Sequence, residues 1–340
     1  MTFIASVLLG GQAKFQENFQ AEFRNTDYVT AQMIRATQIN NPQIAALHTD
    51  DNRAVVAYAP IRQATGGLAV RAAAHVGALG DSQAVAVNWV TVAENFGISA
   101  KMFNNNVLGA QEQWASSFRN AILNILNRLD AGVVALLLAA KTQVNVGGGL
   151  GGTFNAAFDF DVLGAQANFF FDNAGAMMRN NLYTGKLMVV CDSPAYTLAG
   201  RQGAQGAGNA NNLVFQFNNM QVVPSTRAIL AGYQASVLAF EQGYVNLIDW
   251  IPPLNRKPLN AVQAETVNGS WGQITIPELG VTFAIHARSV LQDSVIGGIT
   301  YREDLFTHYE ISVDVASAIS PLSAFRGAND SVVYTAGLLF

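Results

Sequence analysis

"VLGAQEQWASSFRNAILNILNRLDAGVVALLLAAKTQ", residues 107–143, contains no proline and only two glycines. Trp114, Phe118, Ile122, Ile125, Leu126, Leu129, Val133, Leu136 and Leu137 recur in it at the 3.6-residue spacing of one helical face. Thirty-odd residues rising 1.5 Å each predict a helix on the order of 50 Å long, about three times the usual length. Its last third is apolar nearly all round, which predicts burial on most sides. The longest apolar stretch, Ala131 to Ala140, lies between Asp130 and Lys141 and falls short of the roughly 20 residues that cross a bilayer. The glycines of "NVGGGLGG" (145–152) end the helix.

A helix of this length needs partners. Upstream, residues 13–37 read as helix, with Phe15, Phe19 and Phe23 on one stripe. That stripe either joins the chain's own core or docks as an arm on a neighbour. Residues 53–95 carry two β-type runs, "RAVVAYAPI" and "QAVAVNWVTV", around the small, Gly-rich "RQATGGLAVRAAAHVGALGDS". They predict an extended hairpin. A loop of about 20 residues with no core of its own is unusual inside a compact domain. It makes sense if it leans on something outside the chain.

Downstream, "FDVLGAQANFFFDNAGAMMR" (160–179) reads as helix and "KLMVVC" (186–191) as strand. A second helix, "SPAYTLAGRQ" (193–202), has Ser193 as N-cap and Pro194 at the first helical position. The polar "GAQGAGNANN" (203–212) is a loop. "LVFQFN", "MQVVPS" and "SVLAFEQGYVNLI" read as strands, and so do "GQITIPEL", "VTFAIHARSVL" and "THYEISVDVASAI" near the end. In "IDWIPPLNRKP" (248–258), Trp250, Pro252 and Pro253 make a rigid turn before Arg256 and Lys257. Tryptophan and arginine are favoured interface anchors.

Composition points the same way. Of 340 residues, half are hydrophobic and 12% charged, against roughly 25% charged in an average soluble domain. A free monomer keeps a mixed, charged surface, so much of this surface is expected to be covered by neighbours. The alternative is a periplasmic or secreted protein with a neutral surface. Net charge is −4, from 19 basic and 23 acidic residues, with no basic block. Tight nucleic-acid binding is therefore not expected. One cysteine excludes an internal disulfide. "MTFIASVLLGGQAKF" has no basic residue before its apolar run and is a poor signal peptide.

The motifs that could carry chemistry fail on their surroundings. Cys191 follows a buried-strand pattern, and a catalytic thiol needs a histidine and an electropositive setting. A cysteine hydrolase using Cys191 with His286 or His308 is the alternative from a different functional class. Gly147, Gly149 and Gly152 match G-x-G-x-x-G but follow a helix, where a dinucleotide site needs a preceding strand. "LYTGK" lacks the first glycine and the Ser/Thr of a phosphate loop. Asp159 and Asp161 alternate with Phe158 and Phe160, as at a strand edge or helix cap. No spacing suits a metal. No catalytic, cofactor-binding or metal-binding residue is expected.

The order of elements resembles that of the tailed-phage major capsid proteins of the Hong Kong 97 fold. "YTGKLMVVCDSPAYTLAGRQGAQG" and "FEQGYVNLIDWIPP" are similar to stretches of that family's A-domain. The resemblance covers nearly the whole chain and rests on architecture, since the family has no strict motif. It implies an α+β fold with an N-terminal arm (1–50), an extended hairpin or E-loop (51–96), a spine helix of the peripheral domain (97–149), an A-domain (150–270), peripheral-domain strands (271–320) and a C-terminal segment (321–340). It implies hexamers and pentamers of this chain in an icosahedral virion shell around double-stranded DNA, assembled in the host cytoplasm. Separate scaffolding, portal and decoration proteins would be partners, packaged DNA would lie nearby, and no membrane would be involved. The candidate interface residues are Phe15, Phe19 and Phe23 of the arm, Arg62, Gly66, Gly67 and Arg71 of the hairpin, Arg201 and Gln202 before the polar loop, and Trp250 and Arg256. An encapsulin-like compartment keeps the fold and changes the cargo.

Overall fold

In a computed structural model the chain forms one unbroken helix from Val107 to Ala139, about 50 Å at 1.5 Å per residue. The structure describes residues 3–22, 28–37, 51–53, 56–61, 81–103, 107–141, 151–181, 183–205, 215–217, 219–227, 229–256, 269–276, 280–319 and 331–339. In chain order the elements are α1 (Phe3–Glu22), α2 (Val29–Thr37), β1 (Val56–Ile61), β2 (Asp81–Ala86), β3 (Asn88–Ser99), α3 (Val107–Ala139), β4 (Gly152–Phe154), β5 (Phe160–Val162), α4 (Phe170–Asn180), β6 (Leu187–Cys191) and α5 (Ser193–Gln205). There follow β7 (Phe215–Phe217), β8 (Met220–Pro224), β9 (Ala235–Glu241), β10 (Val245–Trp250), β11 (Ser270–Ile276), β12 (Val281–Ile296), β13 (Ile299–Ile319) and β14 (Val333–Leu338).

All the apolar positions read on α3 are buried except Leu136, which is half-buried. Gly132, Ala135 and Ala139 are exposed, so the last third is covered on one broad side, not most sides. Those three residues are small and lose little by facing water. The helix meets length and composition for a membrane span, yet half of its most apolar stretch is buried, and the helix as a whole packs against α1, α2 and the strands β3 and β13.

One aromatic chain joins these layers. Phe15 of α1 meets Phe118 of α3 edge-on at 4.7 Å, and Phe118 stacks on Trp114 at 4.8 Å. Trp114 reaches Phe96 of β3 at 6.0 Å and Tyr309 of β13 at 5.9 Å, and Phe96 stacks on Tyr309 at 5.0 Å. Such pairs add about 0.5–1.5 kcal/mol each beyond burial. Helix α1 begins well before residue 13, where periodicity had placed it, because Gly10 and Gly11 seat it on α3. A Cβ on Gly11 would come within 2.7 Å of the Trp114 ring, and Gln111 Nε2 donates to the Ser6 carbonyl at 2.8 Å. The expected single helix over 13–37 is two helices, α1 and α2.

The strands form two main sheets and one separate pair. In the five-stranded sheet the order is β10-β13-β12-β11, with β3 on the other side of β13. In the seven-stranded sheet it is β4-β5-β14-β9-β6-β8-β7. Among the described residues β1 and β2 pair only with each other, Val56 opposite Ala86. β6, β9 and β14 are buried almost throughout, the pattern of strands covered on both faces. Helices α4 and α5 pack on this sheet.

Several boundaries differ from the sequence reading. "SVLAFEQGYVNLI" is two strands in different sheets, because Gly243 turns the chain with φ +88°. β10 therefore joins the strands of 271–320, not the 150–270 unit. β14, from the 321–340 segment, sits between β5 and β9 inside the seven-stranded sheet. Residues 160–179 are not one helix: 160–162 form β5, paired parallel with β14, and α4 starts only at Phe170. The N-cap of α5 is Asp192, not Ser193, since Asp192 Oδ1 accepts the Ala195 N–H at 3.0 Å.

Candidate assembly surfaces

β12 and β13 are the longest strands, of 16 and 21 residues. β3 supports β13 only as far as Phe306, opposite Ser99. The Ala100 N–H still donates to the Leu305 carbonyl at 3.2 Å, and beyond that point, among the described residues, the two strands pair only with each other. They run on for about 20 Å at roughly 3.4 Å per residue. The turn is Gly297-Gly298, with φ +60° and +83°. A two-residue hairpin with both central residues at positive φ is the geometry that matches strand twist, and glycine adopts it without strain.

The root of this ribbon is fastened. Asp304 is buried, and its Oδ2 accepts hydroxyl hydrogens from Ser99 at 2.5 Å and Ser294 at 2.6 Å. Its Oδ1 accepts the Lys101 N–H at 3.0 Å. Burial works against the charge, but these hydrogen bonds hold the carboxyl below the ordinary aspartate range. An irregular register between Gln292 and Ser294 turns Ser294 inward to this carboxylate.

The outer part faces water with apolar side chains. Leu291 is 66% exposed, Val295 70%, Ile299 58% and Leu305 37%. Leu291 and Leu305 are direct cross-strand partners and share a face. A two-stranded ribbon is marginal in water by itself, and clustered exposed apolar residues mark interaction surfaces. Sequence reasoning missed all four. The signal was there in "VIGGIT" (295–300), a Gly-Gly pair between apolar runs.

The residues singled out from sequence fare unevenly. Phe15 belongs to the chain's own core, 7% exposed against Phe118, the first of the two readings of its stripe. Phe19 falls within α1. Phe23, Arg62, Gly66, Gly67 and Arg71 lie outside the described residues. Arg201 is exposed on α5. Gln202 is half-buried, with Nε2 donating to the Asn168 carbonyl at 2.9 Å.

Trp250 also turns inward, at 8% exposure. The guanidinium groups of Arg53 and Arg256 lie 5.6 and 5.8 Å from its ring centroid. It lines a cleft of about 240 Å³ with Asp249, Ile251, Arg256, Gln273 and Thr282. The rigid turn is real: Pro253–Asn255 form a single 3₁₀ turn, and Asn255 Nδ2 donates to the Gly272 and Ile285 carbonyls, each at 3.0 Å. The side chain that this turn offers to the outside is Leu254, 66% exposed.

The hydrolase alternative fails on geometry. Cys191 is fully buried, and its Sγ lies 3.6 Å from the Val223 carbonyl. Burial, with Asp192 beside it, pushes the thiol well above its ordinary range. His286 and His308 belong to the other sheet, where His286 stacks on Trp271 at 4.0 Å and His308 lies 4.6 Å from Phe306. Asp159 and Asp161 are structural too. Asp159 pairs with Lys141 and accepts the Thr335 hydroxyl at 2.5 Å. Asp161 accepts the Tyr233 hydroxyl at 2.6 Å and Asn155 Nδ2 at 3.0 Å. Among the described residues no cluster of His, Cys, Asp and Glu could hold a metal ion.

No protein-family model and no curated protein matches the chain. Its structure is similar to chains from several solved structures at low identity. A chain from Mycobacterium phage Che8 is 10% identical, with 88% of this chain and 89% of that one covered and a TM-score of 0.48. A chain from the capsid structure of the cyanophage P-SCSP1u is 13% identical, with 84% of each covered and a TM-score of 0.46. A chain of the holo-SrpI encapsulin complex from Synechococcus elongatus PCC 7942 is 10% identical, with 95% and 94% covered and a TM-score of 0.42.

Proposed function

We propose that this chain is a shell subunit, a bacteriophage major capsid protein that assembles into an icosahedral virion shell and performs no catalysis. The observation that carries the reading is the β12–β13 ribbon, hydrogen-bonded at its root through Asp304 and exposing Leu291, Val295, Ile299 and Leu305 beside the charged Asp293, Arg302 and Glu303. Covering Leu291, Val295, Ile299 and Leu305 contributes roughly 1 kcal/mol for each half-exposed side chain. That is too little to hold a pair of subunits against the cost of association. It is enough when every subunit makes the contact on several sides of a closed lattice, where each added contact is effectively intramolecular. The paired β1–β2 strands give a second element with no sheet of its own, and the 12% charge content fits a surface largely covered by copies of itself.

In this reading the copies form hexamers and pentamers around double-stranded DNA. The hairpin lies across the adjacent subunit, and scaffolding, portal and decoration proteins are separate chains. The net charge of −4 keeps the inner wall from gripping DNA. Negative-stain microscopy and light scattering of the expressed full chain test it. Capsomers or closed shells are the expected result. Uniform monomers under every salt, pH and concentration condition overturn it. Nuclease-protected DNA inside native particles separates the virion reading from a protein-filled compartment.

A further inference from the structure

The arm helix α2 is capped by a carboxylate from another element. Asp130, in α3, is fully buried, and its Oδ1 accepts the amide N–H of Ala31 at 2.9 Å, from 99 residues away in sequence. This is the work of an N-cap side chain, supplied by the long helix to the arm. The other oxygen, Oδ2, faces Arg227 Nε at 3.6 Å. Neither of those two atoms makes a direct hydrogen bond among the described residues. Arg227, between β8 and β9, turns its Nη2 to the Asn127 carbonyl at 2.7 Å instead.

The other groups packed around α2 do not neutralise Asp130. Arg35 of α2 is engaged with Asp249 of β10 at 3.3 Å and with the Gly280 carbonyl at 3.0 Å. Tyr28, just before α2, is a buried phenol, pushed up to about 12 chiefly by burial. β6 contributes Cys191, whose thiol burial keeps neutral. The carboxylate has thus lost its water and gained the Ala31 amide, smaller contributions from Thr30 and one cation at 3.6 Å.

We propose that Asp130 is a proton-linked latch on the arm: protonated, it keeps α2 docked on α3, and ionised, it lets α2 undock more readily because opening returns the charge to water. Burial is the dominant influence, and the Ala31 N–H, Arg227 and Thr30 offset it only in part, so the carboxyl rises from 3.8 to about 6. A raised folded-state value contributes stability that is complete below 3.8 and lost as pH rises through about 6. Opening that fully exposes Asp130 then becomes about tenfold more frequent between roughly pH 5 and pH 8.

Hydrogen exchange on the full-length, unassembled chain tests this, with rates corrected for the intrinsic pH dependence of exchange. Peptides covering α2 should be about tenfold better protected near pH 5 than near pH 8, while peptides of β6 and β14 keep their protection. Asp130→Asn, which retains an acceptor and loses the charge, should hold α2 at the low-pH level throughout. Equal protection of wild-type α2 at both pH values overturns the latch. So does an unchanged slope in the Asp130→Asn protein, or a parallel change in β6 and β14, which would make the effect global. Should the variant not fold, the wild-type comparison of α2 with β6 decides alone.

Discussion

The two sheets handle apolar residues in opposite ways. In the seven-stranded sheet, β6, β9 and β14 bury nearly every side chain under α4, α5 and neighbouring strands. In the five-stranded sheet, the two longest strands outrun their partners and leave Leu291, Val295, Ile299 and Leu305 in water. The first sheet is complete within one chain. The second leaves its ribbon uncovered among the described residues. In the proposed shell reading, stability of the chain and the capacity to assemble are therefore located in different places.

The sharpest way to break this comparison is to damage the shared core. Trp114 is fully buried, reaches β3 and β13 through Phe96 and Tyr309, and stacks on Phe118, which meets Phe15 of α1. Trp114→Ala should cost about 3–5 kcal/mol of subunit stability, read as a large drop in the denaturation midpoint. A change under about 1 kcal/mol would mean that α3 is held on the sheet by other contacts. Gly11→Val comes next: its side chain meets the Trp114 ring, and overpacking of this kind costs about 1–3 kcal/mol. Unchanged thermal unfolding would remove the close approach of α1 and α3.

The ribbon should respond in the opposite sense. Leu291→Ser with Val295→Ser should leave subunit unfolding within about 0.5 kcal/mol, as exposed positions do, yet abolish particle formation in light scattering. Normal assembly would show that the ribbon is not a contact. At the smallest scale, a thiol reagent should leave native Cys191 untouched near neutral pH and modify it only at the rate of unfolding. Rapid labelling of the folded chain would mean that β6 is accessible.

Much of the fold was legible because periodicity reports burial directly. The α3 stripe, "LMVVC" and the long strands β12 and β13 carry their pattern locally, whereas "QAVAVNWVTV", read as one strand of the hairpin, divides at Val87 between β2 and β3, and β3 joins the five-stranded sheet. What was not legible depends on neighbours distant in the chain. Phe15 reads equally well as arm contact or core, and only the position of Phe118 decides. Trp250 reads as an exposed anchor, and Arg53 and Arg256 cover it. Phe160–Val162 had been drawn into the helix that follows, and pairing with β14, some 175 residues on, makes it strand. For the candidate surface, the hairpin and the Trp–Pro turn were visible, but the ribbon was not. Alternation in β12 and β13 predicts two-sided strands without saying where the supporting strand stops.

By itself the sequence determined a long amphipathic helix, an α+β order of elements, a sparsely charged surface and the absence of a reactive setting for its lone cysteine. These follow from composition and from spacings of a few residues, which act through local geometry and solvation. The tertiary structure alone decided that β10 and β14 cross between units, that α1 and α2 dock on α3 through Trp114 and Asp130, and that β12 and β13 run beyond their sheet. Those outcomes turn on strand register and on which faces meet, and a strand's face is buried or bare only relative to a partner that its own residues do not specify.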